Sequence, residues 1–273
     1  MTLRNGSSEE LNRQGNDLFA RGHYTDAYAC YVKALESDRL TGDRRALAAT
    51  LGNLGNICAV SGRREAAQVH YQEVLELQKM LGDERGIGTT LANLGNLRAD
   101  AGEWDRARAY YLEALDLIRK TRDEGAEAVL LSDLGLVARE TGQFDDAIRY
   151  YERSLGLMQR LANQGGVADA WRMIGRTFLV QQRYDDAIAC CQTSLSIAER
   201  SGDELRAGGA RYVLAQCLEE TNRIPEAADL LELVVAMDRK YQLPKLDENT
   251  RRLAALRLGL LMMKVPLPMY CEE

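Results

Sequence analysis

Six times along this chain a small residue recurs at a spacing of forty: Gly15, Gly55, Gly95, Gly135, Gly175 and Ala215. Twelve positions after each stands an alanine, at Ala27, Ala67, Ala107, Ala147, Ala187 and Ala227. A large apolar residue precedes the small one at Leu54, Leu94, Leu134, Ile174 and Leu214, and a tyrosine follows the alanine by four at Tyr31, Tyr71, Tyr111 and Tyr151. A register held this long is an internal repeat, and it excludes most single-core folds. Small residues let two helices approach while large ones fill the gaps. One such unit cannot bury its apolar face alone, so copies must stack.

The third block shows the unit. Leu91, Leu94 and Leu97 recur at three-residue steps, and Ala107, Tyr111, Ala114, Leu115 and Ile118 keep helical spacing, which predicts two amphipathic helices meeting near Gly102. Ala101-Gly102 corresponds to Arg21-Gly22, Ser61-Gly62 and Thr141-Gly142, where glycine supplies the left-handed residue that ends a helix. The aromatic that follows (Tyr24, Trp104, Phe144, Tyr184) is expected to cover the turn before Asp26, Asp105, Asp145 and Asp185 favour the next helix start. Between blocks, segments such as TGDRR, LGDER and SGDEL read as a helix end followed by an N-cap. The expectation is one continuous array with thirteen helices. Twelve fall in six repeats, over about 8–41, 42–81, 82–121, 122–161, 162–201 and 202–241, and a thirteenth over 246–264 follows the Gln242-Leu243-Pro244 stop and caps repeat six. Residues 1–7 are expected to be a flexible N-terminus and 265–273 a tail.

Composition narrows the function. A net charge of -6 speaks against a general nucleic-acid or anionic-membrane binder. Neither a long apolar run nor a secretory leader is visible, so the cytosol is the expected location. The six cysteines (Cys30, Cys58, Cys190, Cys191, Cys217, Cys271) lack zinc spacing and are read as packing residues. Cys190-Cys191 is a weak redox signal, because helix neighbours point about 100° apart. His23 and His70 lie in different repeats, the repeated glycines serve packing, and neither a metal-ligand cluster nor a nucleophile motif appears. The expectation is a non-enzyme with no catalytic residue, no metal and no cofactor.

The same residues resemble the tetratricopeptide repeat: Trp171, or Leu51, Leu91 and Leu131, at the first signature position, Leu-Gly at 54-55, 94-95 and 134-135, Phe178 at the tyrosine position, and the alanine series. The resemblance implies an all-α, right-handed superhelical α-solenoid of six helical hairpins plus a C-terminal capping helix. The forty-residue form is similar to the arrays of partner-of-inscuteable-type adaptors, kinesin light chains and bacterial proteins, including those attached to caspase-like CHAT proteases. Departures from the pattern are the missing closing proline, Arg98 in place of the aromatic in repeat three, and Ala215 for glycine in repeat six.

In such an array the first helix of each repeat lines the concave side. Asn16, Asn53, Asn56, Asn93 and Asn96 recur on it beside the Leu-Gly pair or its equivalent. A row of amides can pair with the main chain of an extended peptide without reading its sequence, and in the resembling families an asparagine here holds peptide backbone. The other open reading is that these amides cap or bridge neighbouring helices. Further along, Asp133, Arg139, Arg172 and Arg176 are expected on the same surface, where arginine could anchor an acidic segment of a protein partner or form ordinary salt bridges. Asn12, Arg13 and Asn16 only partly match the chaperone-binding carboxylate clamp, whose lysines are missing, which argues against a chaperone-tail ligand. The expected role is a scaffold or adaptor that holds an extended peptide or a helix of a protein partner in its concave groove, without nucleic acid or membrane. The alternative is a regulatory or oligomerisation module, a homodimer or an effector complex, acting through the apolar C-terminal end (Leu256, Leu258, Leu260, Leu261, Met262, Met263).

Overall fold

A computed structural model describes residues 7–263, the last four by backbone alone. The N-terminal residues 1–6 and the tail 265–273 with Cys271 lie outside the described residues, as do the side chains of Leu260, Leu261, Met262 and Met263. Among the described residues there are thirteen helices and no strand, so the fold is all-α.

The helices fall into two compact units divided between Thr141 and Gly142. The first holds α1 (Ser8–Ala20), α2 (Tyr24–Thr41), α3 (Arg44–Val60), α4 (Arg64–Leu81), α5 (Glu84–Ala99), α6 (Trp104–Thr121) and α7 (Glu124–Glu140). The second holds α8 (Phe144–Arg160), α9 (Gln164–Val180), α10 (Tyr184–Arg200), α11 (Glu204–Glu220), α12 (Ile224–Tyr241) and α13 (Leu246–Met263). Within each unit every helix packs on the next in sequence, the geometry that short connections between antiparallel helices impose.

The connections are of two chemical kinds. Entering a repeat, the side chains of Asp43, Asp83, Asp123, Asn163 and Asp203 accept backbone N–H groups of the first turn, as the Gly-Asp segments predict. The second helices start without a side-chain cap, at His23, Arg63, Glu103, Gln143, Arg183 and Arg223. The turn inside a hairpin needs a left-handed residue, and Gly22, Gly62, Gly102 and Gly142 supply it. In the last two repeats Gln182 (φ 60) and Asn222 (φ 57) take that conformation instead, a switch the glycine series hides.

The core is a row of inter-helix clusters. Ala27, Tyr31, Leu54 and Ile57 join the first hairpin to α3, and Ala48, Leu51, Val74 and Leu77 fill the second. Each fully buried Leu or Ile contributes about 1.5–3 kcal/mol. In the second unit Ala187, Cys191, Val213, Leu214 and Cys217 form one such cluster. Leu253 of α13 packs into another with Leu231, Val234 and Val235, with Leu246 and Leu256 alongside. Thus α13 covers the apolar face of α12.

Candidate functional site

The glycine, tyrosine and asparagine positions of the first three repeats form one device. A Cβ on Gly15, Gly55 or Gly95 would lie 2.5 Å from Cε1 of Tyr31, Tyr71 or Tyr111, so the ring rests directly on the helix backbone. That contact carries the hydroxyl to the residue after the glycine. Tyr31 Oη donates to Asn16 Oδ1 at 2.6 Å, Tyr71 Oη to Asn56 Oδ1 at 2.7 Å and Tyr111 Oη to Asn96 Oδ1 at 2.7 Å. All three rings are buried. Burial pushes the Tyr31 phenol up to about 12 and raises Tyr71 and Tyr111 as well, so each hydroxyl keeps its proton at neutral pH and remains a donor. With Oδ1 turned to the ring hydroxyl, each amide keeps both Nδ2 protons to offer outward.

The asparagines before the Leu-Gly pair behave differently. Asn53 Nδ2 donates to Asn12 Oδ1 at 3.1 Å, and Asn93 Nδ2 reaches Asn56 Oδ1 at 3.4 Å, each bridging to the preceding repeat. Their Oδ1 atoms are left as acceptors. Asn12 is itself held, because its Nδ2 donates to Thr50 Oγ1, whose own proton goes to Asp38 Oδ2, both at 2.6 Å. The bridging reading of the amide row thus holds for Asn53 and Asn93, and Asn16, Asn56 and Asn96 are each pinned by a tyrosine. Asn56, Asn93 and Asn96 line a recess of about 310 Å³ on α3 and α5, together with Phe19 and Asp100.

Asp133 sits on α7 at the repeat position of Asn93. It is half-buried and makes no hydrogen bond or ion pair among the described residues. Desolvation raises its carboxyl from the usual value to about 6. Arg139 is buried, with Nη2 on Glu140 Oε1 at 2.8 Å. Arg172 pairs with Asp169 at 3.1 Å, and Asp169 also holds Arg206 at 2.8 Å. Arg176 is exposed on α9. The structure brings Asn16, Asn53, Asn56, Asn93, Asn96 and Asp133 onto the first unit's first-helix face, whereas Arg172 and Arg176 belong to the second unit.

A family profile described as the tetratricopeptide repeat matches residues 9–80, 86–160 and 166–240. The chain belongs to the tetratricopeptide repeat family. Tetratricopeptide repeat arrays are protein-interaction scaffolds, typically without catalysis. The fold is similar to that of a Rap protein complexed with competence and sporulation factor (15% identity, 93% of this chain and 76% of that one, TM-score 0.67). It is similar too to BtubC from P. vanneervenii (18%, 96% of each chain, TM-score 0.61). A third likeness is to a signal-transduction ATPase with a tetratricopeptide repeat sensor from Pyrococcus horikoshii (15%, 94% of this chain but 42% of that one, TM-score 0.71). At these identities the likeness concerns the fold. No curated protein matches the sequence.

Among the described residues no group of His, Cys, Asp or Glu could hold a metal ion, and no helix is long and apolar enough to cross a membrane. Cys58, Cys190, Cys191 and Cys217 are free, buried thiols. Burial pushes Cys190 and Cys217 up to about 11 and Cys191 to about 12, the opposite of an activated thiolate. Sequence reasoning missed the tyrosine lock on the asparagines. Its signal was the fifteen-residue spacing of Asn16 and Tyr31, Asn56 and Tyr71, and Asn96 and Tyr111, which lapses from repeat four on, where Leu136 stands before Tyr151 and Arg176 before Cys191.

Proposed function

We propose that this protein is a non-catalytic scaffold or adaptor that binds an extended segment of a protein partner along the exposed face of α1, α3 and α5. The observation that carries the reading is the division of labour among the amides. Asn16, Asn56 and Asn96 turn Oδ1 to a tyrosine and keep both Nδ2 protons for a ligand, and Asn53 and Asn93 spend one Nδ2 proton on the preceding repeat and keep Oδ1 as an acceptor. An extended peptide exposes both N–H and C=O groups along its length, and pre-oriented amides meet them with little further loss of side-chain freedom. Arg139 and Arg172 already hold Glu140 and Asp169, so an acidic ligand segment is not part of the reading. The free thiols suit a reducing compartment, and we place the protein in the cytosol.

The test is a selection of peptides from a random display library on the folded protein, followed by titration of the winners into wild type and into Asn56→Ala/Asn96→Ala. Circular dichroism checks that the variant stays helical. The reading expects the variant to lose tenfold or more in affinity, roughly one to two hydrogen bonds. Equal affinity in both proteins would remove the amide face as the site. The second reading, contact through the C-terminal helix, draws on a recess of about 610 Å³ between α12 and α13 beside the exposed Leu258. It expects instead a sedimentation coefficient that rises with concentration and falls back on Leu258→Glu.

A further inference from the structure

One position on the amide face breaks its chemistry. At Asn93 the side-chain nitrogen reaches back to Asn56 Oδ1 of the preceding repeat at 3.4 Å. Forty residues later, in the same place on α7, stands Asp133. A carboxylate has no N–H to give, so the corresponding bridge to Asn96 cannot form, and Asn96 Oδ1 keeps only the Tyr111 hydroxyl. Asp133 lies close enough to Tyr111 for its charge to act on the phenol, as does Asp100. Desolvation is what acts on Asp133, with no neighbouring cation among the described residues to offset it. Arg98 holds Gln68 and Glu103, Arg139 holds Glu140, and Arg64 donates to the Asp100 carbonyl at 2.9 Å. The half-buried Asp133 carboxylate is thus left without a donor at the α5 and α7 end of the row. It lost much of its hydration on folding and gained no partner in return, a situation a charged donor from outside would relieve.

We infer that Asp133 is the specificity-determining residue of the amide face and takes a lysine or arginine side chain of the bound peptide. The inference rests on the peptide-binding reading above and adds the ligand's chemical class to it. Peptide main chain lies along the amides of α1, α3 and α5, and one basic side chain reaches Asp133, with Asp100 in the lining of the recess adding a second negative charge. A protein of net charge -6 also favours the approach of a basic segment.

The experiment is the same library selection run in parallel on wild type, Asn56→Ala/Asn96→Ala, Asp133→Asn and Asp133→Arg. Asp133→Asn installs the residue that the two preceding repeats carry, so the array is expected to fold. The expected result is a basic residue at one fixed position of the wild-type winners. On Asp133→Asn that preference should disappear, with a loss of roughly tenfold in affinity for the wild-type winners. Asp133→Arg should replace it with Asp or Glu. Winners that need the asparagines but show no basic position, or whose basic position is indifferent to Asp133→Asn, overturn this inference and leave the peptide-binding reading standing. Winners indifferent to the asparagines overturn both.

Discussion

Two glycines three residues apart on α3 should respond to the same substitution with opposite sign. Gly52 has nothing within 4 Å of a built Cβ, so Gly52→Ala gains only the helical preference of alanine, up to about 1 kcal/mol. Gly55→Ala gains the same amount, but its Cβ would stand 2.5 Å from Tyr71 Cε1, 2.7 Å from Cδ1 and 3.0 Å from Cζ. The ring must retreat by roughly 1 Å to reach ordinary carbon contact near 3.5 Å. Tyr71 is 2% exposed and has nowhere to retreat to. Overpacking of this kind costs about 1–3 kcal/mol. Moving Oη off Asn56 Oδ1 forfeits about 1 kcal/mol more. Net of propensity, Gly55→Ala is destabilising by about 1–3 kcal/mol, and it lies about 2–4 kcal/mol below Gly52→Ala. Urea unfolding followed by far-UV circular dichroism gives the ordering, with equal slopes required before midpoints are compared, because repeat arrays need not melt in two states. Adding Tyr71→Leu to Gly55→Ala should recover part of the loss, which a double-mutant cycle reads as coupling. If Gly55→Ala and Gly52→Ala raise the midpoint alike, the packed glycine under the tyrosine is not what holds the site together.

Asp133 should make stability depend on pH in a definite direction. Its folded carboxyl is raised to about 6 from an ordinary value of 3.8, so the native state holds the proton more tightly and stability falls as pH rises from about 4 to 6. Asp133→Asn should therefore be more stable than wild type at pH 7, on the order of 1–2 kcal/mol after allowance for partial solvation, and no different near pH 3.5, as thermal melts at the two pH values would reveal. Asn249 and Asp238 are buried and joined by a 2.7 Å bond from Nδ2 to Oδ2, so Asn249→Ala strands a carboxylate under α13. It should cost about 2–4 kcal/mol and speed hydrogen exchange in α13 before α12. Ala162→Gly should stabilise by up to about 1 kcal/mol in urea unfolding, since alanine holds φ 52 there, a left-handed conformation that L side chains resist. Brief iodoacetamide treatment at pH 8, read by peptide mapping, should label the partly exposed Cys30 well before Cys191, whose thiol burial pushes up to about 12.

The helices were legible because their signals are local and repeated. The Gly-Asp connections marked the N-caps, and the alanine series marked where helices touch. What stayed hidden depended on which atom of a side chain is already spent. Asn56 and Asn93 look alike as letters, yet one gives its oxygen to a tyrosine in its own hairpin and the other gives its nitrogen to the preceding repeat. The arginine pairings stayed hidden for the same reason. Arg139 is on a first helix as expected, but it is buried on Glu140, and Arg172 is tied to Asp169; neither pairing follows from a forty-residue period. Asp133 was visible as a change of letter, whereas its missing partner required the packing around Tyr111.

Each tyrosine that pins an asparagine does so from within the same hairpin, fifteen residues downstream, and needs no other repeat to aim it. The amide surface is therefore written in separate letters, each proofread by its own ring. A duplication would copy a correctly aimed amide along with the helices that carry it. A single base change, such as one exchanging Asn for Asp, can re-spell one letter while the scaffold beneath it stays intact. Such an array can acquire a new ligand by editing one repeat at a time.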